Sequence, residues 1–189
     1  MPYQILPPHG GYRQLLSYQI ATIAYDFGVE FANKYIGTKS RTHDQIVQAL
    51  RSGKQNIVEG TMASGTSKKT EIKLLGVARA SLEEALADAE DFLRQHRLTL
   101  WPKTDPRSLT IRKLGYMTNK SYKTYMSYLS GPEPAANCLL CLLHQANFLL
   151  DRQIQAVEKE FLEKGGLSER LYNARQTSKP NLLPPTRSS

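Results

Sequence analysis

Apolar residues recur along most of this chain at intervals of three and four, the spacing that builds one face of an α-helix. Four long segments carry the pattern, over about residues 12–35, 43–63, 67–96 and 135–164. No run alternates apolar and polar residues between hairpin turns, so no strand is expected. Long amphipathic helices with short early connections predict an all-α protein, an antiparallel up-down four-helix bundle.

Local signals mark where the helices begin and which segments lie outside the bundle. Thr42 or His43 is expected to cap the second helix, and Ser67 the third. The connection at 98–136 is too long for a structureless loop, and Asp105 before Pro106 is typical of a helix start. We therefore expect extra helices between the third and fourth bundle helices, over about residues 106–129.

The bundle with this insertion spans residues 12–165, behind an N-terminal extension at 1–11. A short helix is expected at 166–175, from the sequence LSERLYNAR. The final segment, 176–189, is rich in Pro and Ser and is expected to be disordered.

The second helix keeps two glycines, although each costs about 1 kcal/mol relative to Ala in a helix interior. Gly53 and Gly60 are seven residues apart and share one stripe, which favours close approach of another helix from the same chain or from another copy. A solvated face with a fraying glycine end is the alternative. Asn147 interrupts the heptad of the last helix, a position that often sets register or oligomeric state. The predicted helix or subunit contacts are Ser52, Gly53, Asn56, Glu59, Gly60 and Asn147.

The charge of the chain is concentrated in part of its length. The formal net charge is +8, and residues 98–130 hold six Lys or Arg against one Asp. Cations contact phosphates and aromatic faces stack on unpaired bases, so this mixture is typical of a single-strand binder. An ordinary amphipathic helix, with tyrosines on the bundle and cations in water, is the alternative. The candidate nucleic-acid contacts are Arg107, Arg112, Lys113, Tyr116, Lys120, Tyr122, Lys123 and Tyr125.

No catalytic or metal-binding motif emerges from the residues. Cys138, Cys141 and His144 follow one another at intervals of three, so their side chains diverge around a helix and make a poor zinc site. The two thiols are better explained as small buried apolar groups. Nucleotide-binding glycine loops are missing. We expect no metal, no cofactor and no enzymatic activity.

Two cysteines in one apolar run suit a reducing compartment, and the cytoplasm is expected. No apolar run approaches the roughly 20 residues of a membrane-spanning helix, and no secretory signal is recognised at the N-terminus. A membrane partner is therefore not expected.

Two stretches carry a resemblance to a known family. RSGKQNIVEG, with Ser52, Asn56-Ile57 and Glu59-Gly60, and ARASLEEALADAEDFL, with Ala80, Ser81 and Glu84, resemble the signature of the 23S rRNA intervening-sequence four-helix-bundle proteins. The accessory proteins of diversity-generating retroelements are similar to the same family. The insertion at 98–136 and the GGLSERLYNAR end look like its longer "four helix bundle suffix domain" type.

The resemblance implies a bundle without catalytic activity that self-associates, often into a ring-like pentamer. In the retroelement branch it implies a basic surface that binds nucleic acid and a reverse transcriptase. The resulting hypothesis is a non-enzymatic homo-oligomer that binds nucleic acid and acts as an adaptor for a reverse transcriptase or another nucleic-acid enzyme. A protein–protein interaction module with no nucleic-acid role is the alternative.

Overall fold

The structure, a computed structural model of the 189-residue chain, describes residues 10–178. Two 3₁₀ helices cover Tyr12–Gln14 and Tyr122–Ser130. The α-helices are α1 (Leu16–Tyr35), α2 (Arg41–Ala63), α3 (Lys68–Gln95), α4 (Pro106–Leu114), α5 (Pro132–Lys164) and α6 (Leu167–Ser178). No strand occurs between residues 10 and 178, and the all-α prediction is confirmed. Most of the predicted N-terminal extension and of the disordered tail lies outside the described residues.

The four long helices surround one apolar core. α1 packs against α2 and α5, and α3 packs against the same two helices. The periodic positions predicted from the sequence supply about half of the buried apolar side chains, including Phe27, Leu50, Leu82 and Leu143. Leu16 departs from the pattern, because the first turn of α1 leaves it 55% exposed. None of the helices within residues 10–178 is both long and apolar enough to cross a membrane.

Helix boundaries follow local capping chemistry, with two corrections. Ser67 caps α3 through the Thr70 N–H group, and Asp105 caps α4, which begins at Pro106. The cap of α2 is Ser40, not Thr42 or His43, because the Ser40 hydroxyl accepts from the Thr42 N–H group. α5 starts at Pro132, three residues before the predicted start, since proline is well placed in the first turn of a helix.

The predicted extra helices are α4 and the 3₁₀ helix Tyr122–Ser130. α4 packs on α5, whereas the 3₁₀ helix packs on both α1 and α5. The end of the 3₁₀ helix is tied to α1, because the Leu129 carbonyl accepts from Tyr35 Oη at 2.6 Å and from Lys34 Nζ at 2.9 Å. The 3₁₀ helix thus bridges α1 and α5, whereas α4 lies against α5.

Candidate nucleic-acid interface

The glycine stripe of α2 faces α3 of the same chain. A Cβ atom added at Gly53 would stand 2.6 Å from Leu82 Cγ and 3.3 Å from the Ala78 carbonyl oxygen. A Cβ atom added at Gly60 would lie 3.3 Å from the Glu71 carbonyl oxygen. Both glycines are buried, so this stripe is already covered by α3.

Polar groups beside the stripe bond within the same chain. Ser52 Oγ lies 3.1 Å from Ser81 Oγ of α3, and Asn56 Nδ2 donates to the Ser52 carbonyl oxygen at 2.9 Å. Glu59 is exposed. Asn147 is buried in α5 and donates from Nδ2 to Glu83 of α3 at 2.8 Å. The polar residues Ser52 and Asn147 thus join neighbouring helices of one chain.

The cysteine motif is part of the core. Cys138 and Cys141 are buried free thiols, and burial raises the pKa of both. For Cys141, the neighbouring Ser108 and Arg112 partly oppose that rise. His144 is exposed on the same helix. Within residues 10–178, no cluster of three or more His, Cys, Asp or Glu side chains is suited to hold a metal ion.

The first two turns of α5 hold the chain that leads from α3 into α4. Glu133 accepts from the Thr99 N–H group at 3.0 Å and from Trp101 Nε1 at 2.9 Å. Asn137 accepts from the Trp101 N–H group at 2.8 Å and donates to the Thr99 carbonyl at 2.8 Å. The hydrogen bonds that Glu133 accepts, first from Thr99 and then from Trp101, lower the pKa of Glu133, because they favour its charged form. The connection is therefore fixed at Trp101.

Arg107 is held over this fixed tryptophan. Its Cζ atom lies 3.8 Å from the centre of the Trp101 ring, a cation–π distance. The guanidinium also pairs with Asp105 at 2.8 Å and lies 3.8 Å from Glu133. The hydrogen bond from Arg107 lowers the pKa of Asp105. Among the cations of residues 98–130, Arg107 is thus the one whose charge is most fully neutralised by carboxylates.

A cleft of about 320 Å³ opens between α4, α5 and the chain before α4; we call it the α4–α5 cleft. Its rim carries two aromatic rings, with Tyr116 86% exposed and Phe148 59% exposed. Arg112 donates to the Lys103 carbonyl, and Gln145 Nε2 donates to the Arg112 carbonyl at 2.9 Å. The residues that line the cleft include Trp101, Lys103, Arg112, Tyr116, His144, Gln145 and Phe148.

Lys103 and Arg112 supply the cations of the cleft. The His144 side chain is exposed, yet desolvation by its neighbours lowers its pKa, and the nearby charge of Lys103 lowers it further. Arg112 acts in the same direction, whereas Glu90 and Glu83 of α3 oppose the shift. Two cations grouped at one cleft favour the binding of an anion.

The structure divides the candidate residues predicted from the basic segment. Arg112 and Tyr116 line the α4–α5 cleft, with Arg107 and the exposed Lys113 also on α4. Lys120 and Tyr122 instead line a separate depression against Tyr18 and Asp26 of α1. Lys123 is exposed on the 3₁₀ helix.

Tyr125 requires a correction, because it is fully buried in the core. Its hydroxyl is buried without a hydrogen-bond partner, and burial raises its pKa to about 12. A ring in this position is not available to stack on a base, so Tyr125 belongs to the core rather than to the basic surface.

Lys103, His144 and Phe148 line the cleft but are not among the nucleic-acid contacts predicted from the sequence. Lys103 precedes the helix start at Asp105, outside the periodic segment. Phe148 carries the one usable signal, because it falls beside the apolar seam of α5 rather than on it, where an aromatic side chain is exposed. His144 occupies a similar outward position.

Comparison of the chain with protein-family models, with curated proteins and with solved structures finds no match.

Proposed function

We propose that this chain is a non-enzymatic, self-associating helical-bundle protein that binds nucleic acid through residues 98–130 and the α4–α5 cleft. In this proposal α1, α2, α3 and α5 form an antiparallel up-down four-helix bundle, with α4 and the second 3₁₀ helix inserted. One observation carries the nucleic-acid assignment: Lys103 and Arg112 meet the exposed rings of Tyr116 and Phe148 in one cleft. Phosphates attract the cations, and unpaired bases stack on the rings.

The charge balance around the cleft supports the same function. Lys103 and Lys113 are exposed, and the segment 98–130 holds a single carboxylate, Asp105, which Arg107 already engages. A surface with unneutralised cations next to aromatic rings fits a polyanion better than an acidic or apolar protein partner.

The burial of the two cysteine thiols supports the part of the proposal that assigns no enzymatic activity to the chain. Burial raises the pKa of Cys138 and Cys141, which keeps them protonated and poorly nucleophilic. Two free cysteines also fit a reducing cytoplasm. The role as an adaptor for a reverse transcriptase or another nucleic-acid enzyme, in a retroelement setting, rests on the sequence resemblance.

A second candidate function, a protein–protein interaction module, is favoured by exposed apolar side chains at the far end of α5 and on α6. Leu162 is 85% exposed and Tyr172 63% exposed. In the leading proposal the same surface serves self-association, because the glycine stripe of α2 is covered by α3. A ring-like pentamer remains the form that the resemblance implies.

Paired charge variants test the nucleic-acid assignment. Lys103→Ala with Lys113→Ala removes two exposed cations, one from the lining of the cleft and one from α4. The matched control, Lys69→Ala with Lys73→Ala, removes two exposed cations from α3. We expect the first pair to weaken binding of a labelled oligonucleotide at least about tenfold in fluorescence anisotropy, and the control pair to change it much less. Equal effects of the two pairs would contradict the assignment.

A further inference from the structure

The α4–α5 cleft combines features that a surface binding only phosphates would not need. Its volume of about 320 Å³ lies at the small end of the range for small-molecule sites. The exposed rings of Tyr116 and Phe148 stand at its rim, although exposed aromatic surface is unfavourable in water. A site of this size and chemistry is suited to one planar group rather than to the stacked bases of a duplex.

Two cations, Lys103 and Arg112, line the cleft. The Arg112 guanidinium donates to the Lys103 carbonyl and so ties α4 to the chain that precedes it. His144 lies close enough to both that their charge lowers its pKa. An anionic group beside the rings would be attracted by Lys103 and Arg112, which both line this cleft.

The floor of the cleft is rigid. Trp101 is 7% exposed and is held at its N–H group by Asn137 and at its indole by Glu133. Gln145 ties the end of α4 to α5 through the Arg112 carbonyl. A pre-formed cleft of this kind loses little conformational freedom when it binds a ligand.

From these observations we propose that the α4–α5 cleft receives one unpaired nucleotide of a single strand. Its base stacks against Tyr116 and Phe148, and its phosphate lies beside Lys103 and Arg112. This inference rests on the proposed nucleic-acid function and specifies the substrate as single-stranded. Arg152, whose guanidinium lies 5.9 Å from the centre of the Phe148 ring, supplies a further cation for the neighbouring phosphate. A single strand of nucleic acid carries a phosphate at every nucleotide, so a second phosphate can lie beside Arg152; an isolated aromatic anion has no such second phosphate.

The test compares a fluorescein-labelled single strand of about 12 nucleotides with a duplex of the same sequence, in anisotropy titrations. The variants are Tyr116→Ala alone and Tyr116→Ala with Phe148→Ala. Because both positions are exposed, the helical circular dichroism should match that of the wild type. Met62→Ala removes an exposed apolar side chain from α2 and is the matched control. We expect the wild type to prefer the single strand, and the double variant to lose roughly 5- to 100-fold in affinity for it. Duplex binding by the double variant should match the wild type, and Met62→Ala should bind both probes as the wild type does.

The outcomes separate this inference from the proposed function. Equal affinity for single strand and duplex, unaffected by the double variant, would overturn the cleft assignment and leave phosphate binding intact. Failure to bind either probe would overturn both. A phosphotyrosine peptide that binds the wild type, and loses its affinity in the double variant while the oligonucleotide does not, would assign the cleft to a peptide instead.

Discussion

Gly53 of α2 lies directly against Leu82 of α3. A Cβ atom at residue 53 would stand 2.6 Å from Leu82 Cγ and 3.3 Å from the Ala78 carbonyl oxygen, closer than packed atoms normally approach. Leu82 is fully buried, and side chains in a close-packed interior cannot move without displacing their neighbours. The absence of a side chain at Gly53 therefore sets the distance between these two helices.

The first prediction compares two glycine-to-alanine changes in neighbouring helices. Gly53→Ala forces α2 and α3 apart, and the overpacking outweighs the gain in helix propensity. We expect it to lower the free energy of unfolding in urea by about 1–2 kcal/mol. Gly76→Ala meets no atom within 4 Å and should raise the same quantity by about 0.5–1 kcal/mol. If both variants gained stability, the close contact at Gly53 would be refuted.

The second prediction concerns the buried hydroxyl of Tyr125. Tyr125→Phe removes an unpartnered polar group from the core and should raise the free energy of unfolding by about 1 kcal/mol at pH 7. Oligonucleotide affinity should stay unchanged, because the ring is fully buried. A Tyr172→Phe control changes a hydroxyl on a side chain that is 63% exposed.

The same variant has a predicted pH dependence. Burial, with smaller effects from Cys138 and Tyr128, raises the pKa of Tyr125 from 10.0 to about 12. Between these values the unfolded chain releases the phenol proton and the folded chain keeps it. The contribution of this group to stability is therefore complete below pH 10 and is lost as the pH rises towards 12. Alkaline urea titrations should show a shallower loss of stability in Tyr125→Phe than in the wild type; parallel curves would argue against a buried phenol.

The third prediction tests the anchoring of the cleft floor. Asn137→Ala leaves the Trp101 N–H group and the Thr99 carbonyl without the partner they have in the folded chain. We expect a loss of about 2–3 kcal/mol in the free energy of unfolding. Because the chain has a single tryptophan, Trp101, its fluorescence should also shift to longer wavelength. Asn56→Ala, which loses only bonds to Ser52 within α2, is the control and should leave the emission unchanged.

The fourth prediction concerns self-association. Leu162 of α5 and Tyr172 of α6 are 85% and 63% exposed, and covering these side chains with another copy of the chain would remove their apolar surface from water. Light scattering should give a mass above the 21.3 kDa of one chain, and Leu162→Glu with Tyr172→Glu should reduce it. Val77→Glu changes an exposed apolar residue of α3 instead and should not. A wild-type mass of one chain would refute self-association.

The helical elements could be predicted from the sequence because the signals that define them are local. Ser67 and the pair Asp105-Pro106 mark helix starts through side-chain caps and backbone constraints that act within a few residues. The apolar period identifies buried faces for the same reason. Ser40 was missed because Ser40, Thr42 and His43 lie within one turn of the helix start, and the backbone geometry selects one of them as the cap.

The composition of the cleft could not be predicted, because it depends on contacts between distant segments. Arg112 and Tyr116 were recognised within one basic run, which also contains Lys103, yet Phe148 joins them only when α4 packs on α5. Tyr125 was predicted to lie on the surface because its burial also depends on contacts between distant segments. Its 3₁₀ helix turns this ring into the core against α1 and α5, and periodicity alone does not specify what covers a given face.

The central claim, that this chain binds nucleic acid through phosphate contacts, is tested most directly by the salt dependence of oligonucleotide affinity. With a labelled single strand, the logarithm of the association constant should fall linearly with the logarithm of NaCl concentration, by about 0.7 for each phosphate contacted. The double variant Lys103→Ala with Lys113→Ala should make that slope shallower by the amount that corresponds to about one to two phosphate contacts. Affinity that is undetectable at low salt, or that does not change as salt rises, would contradict the account.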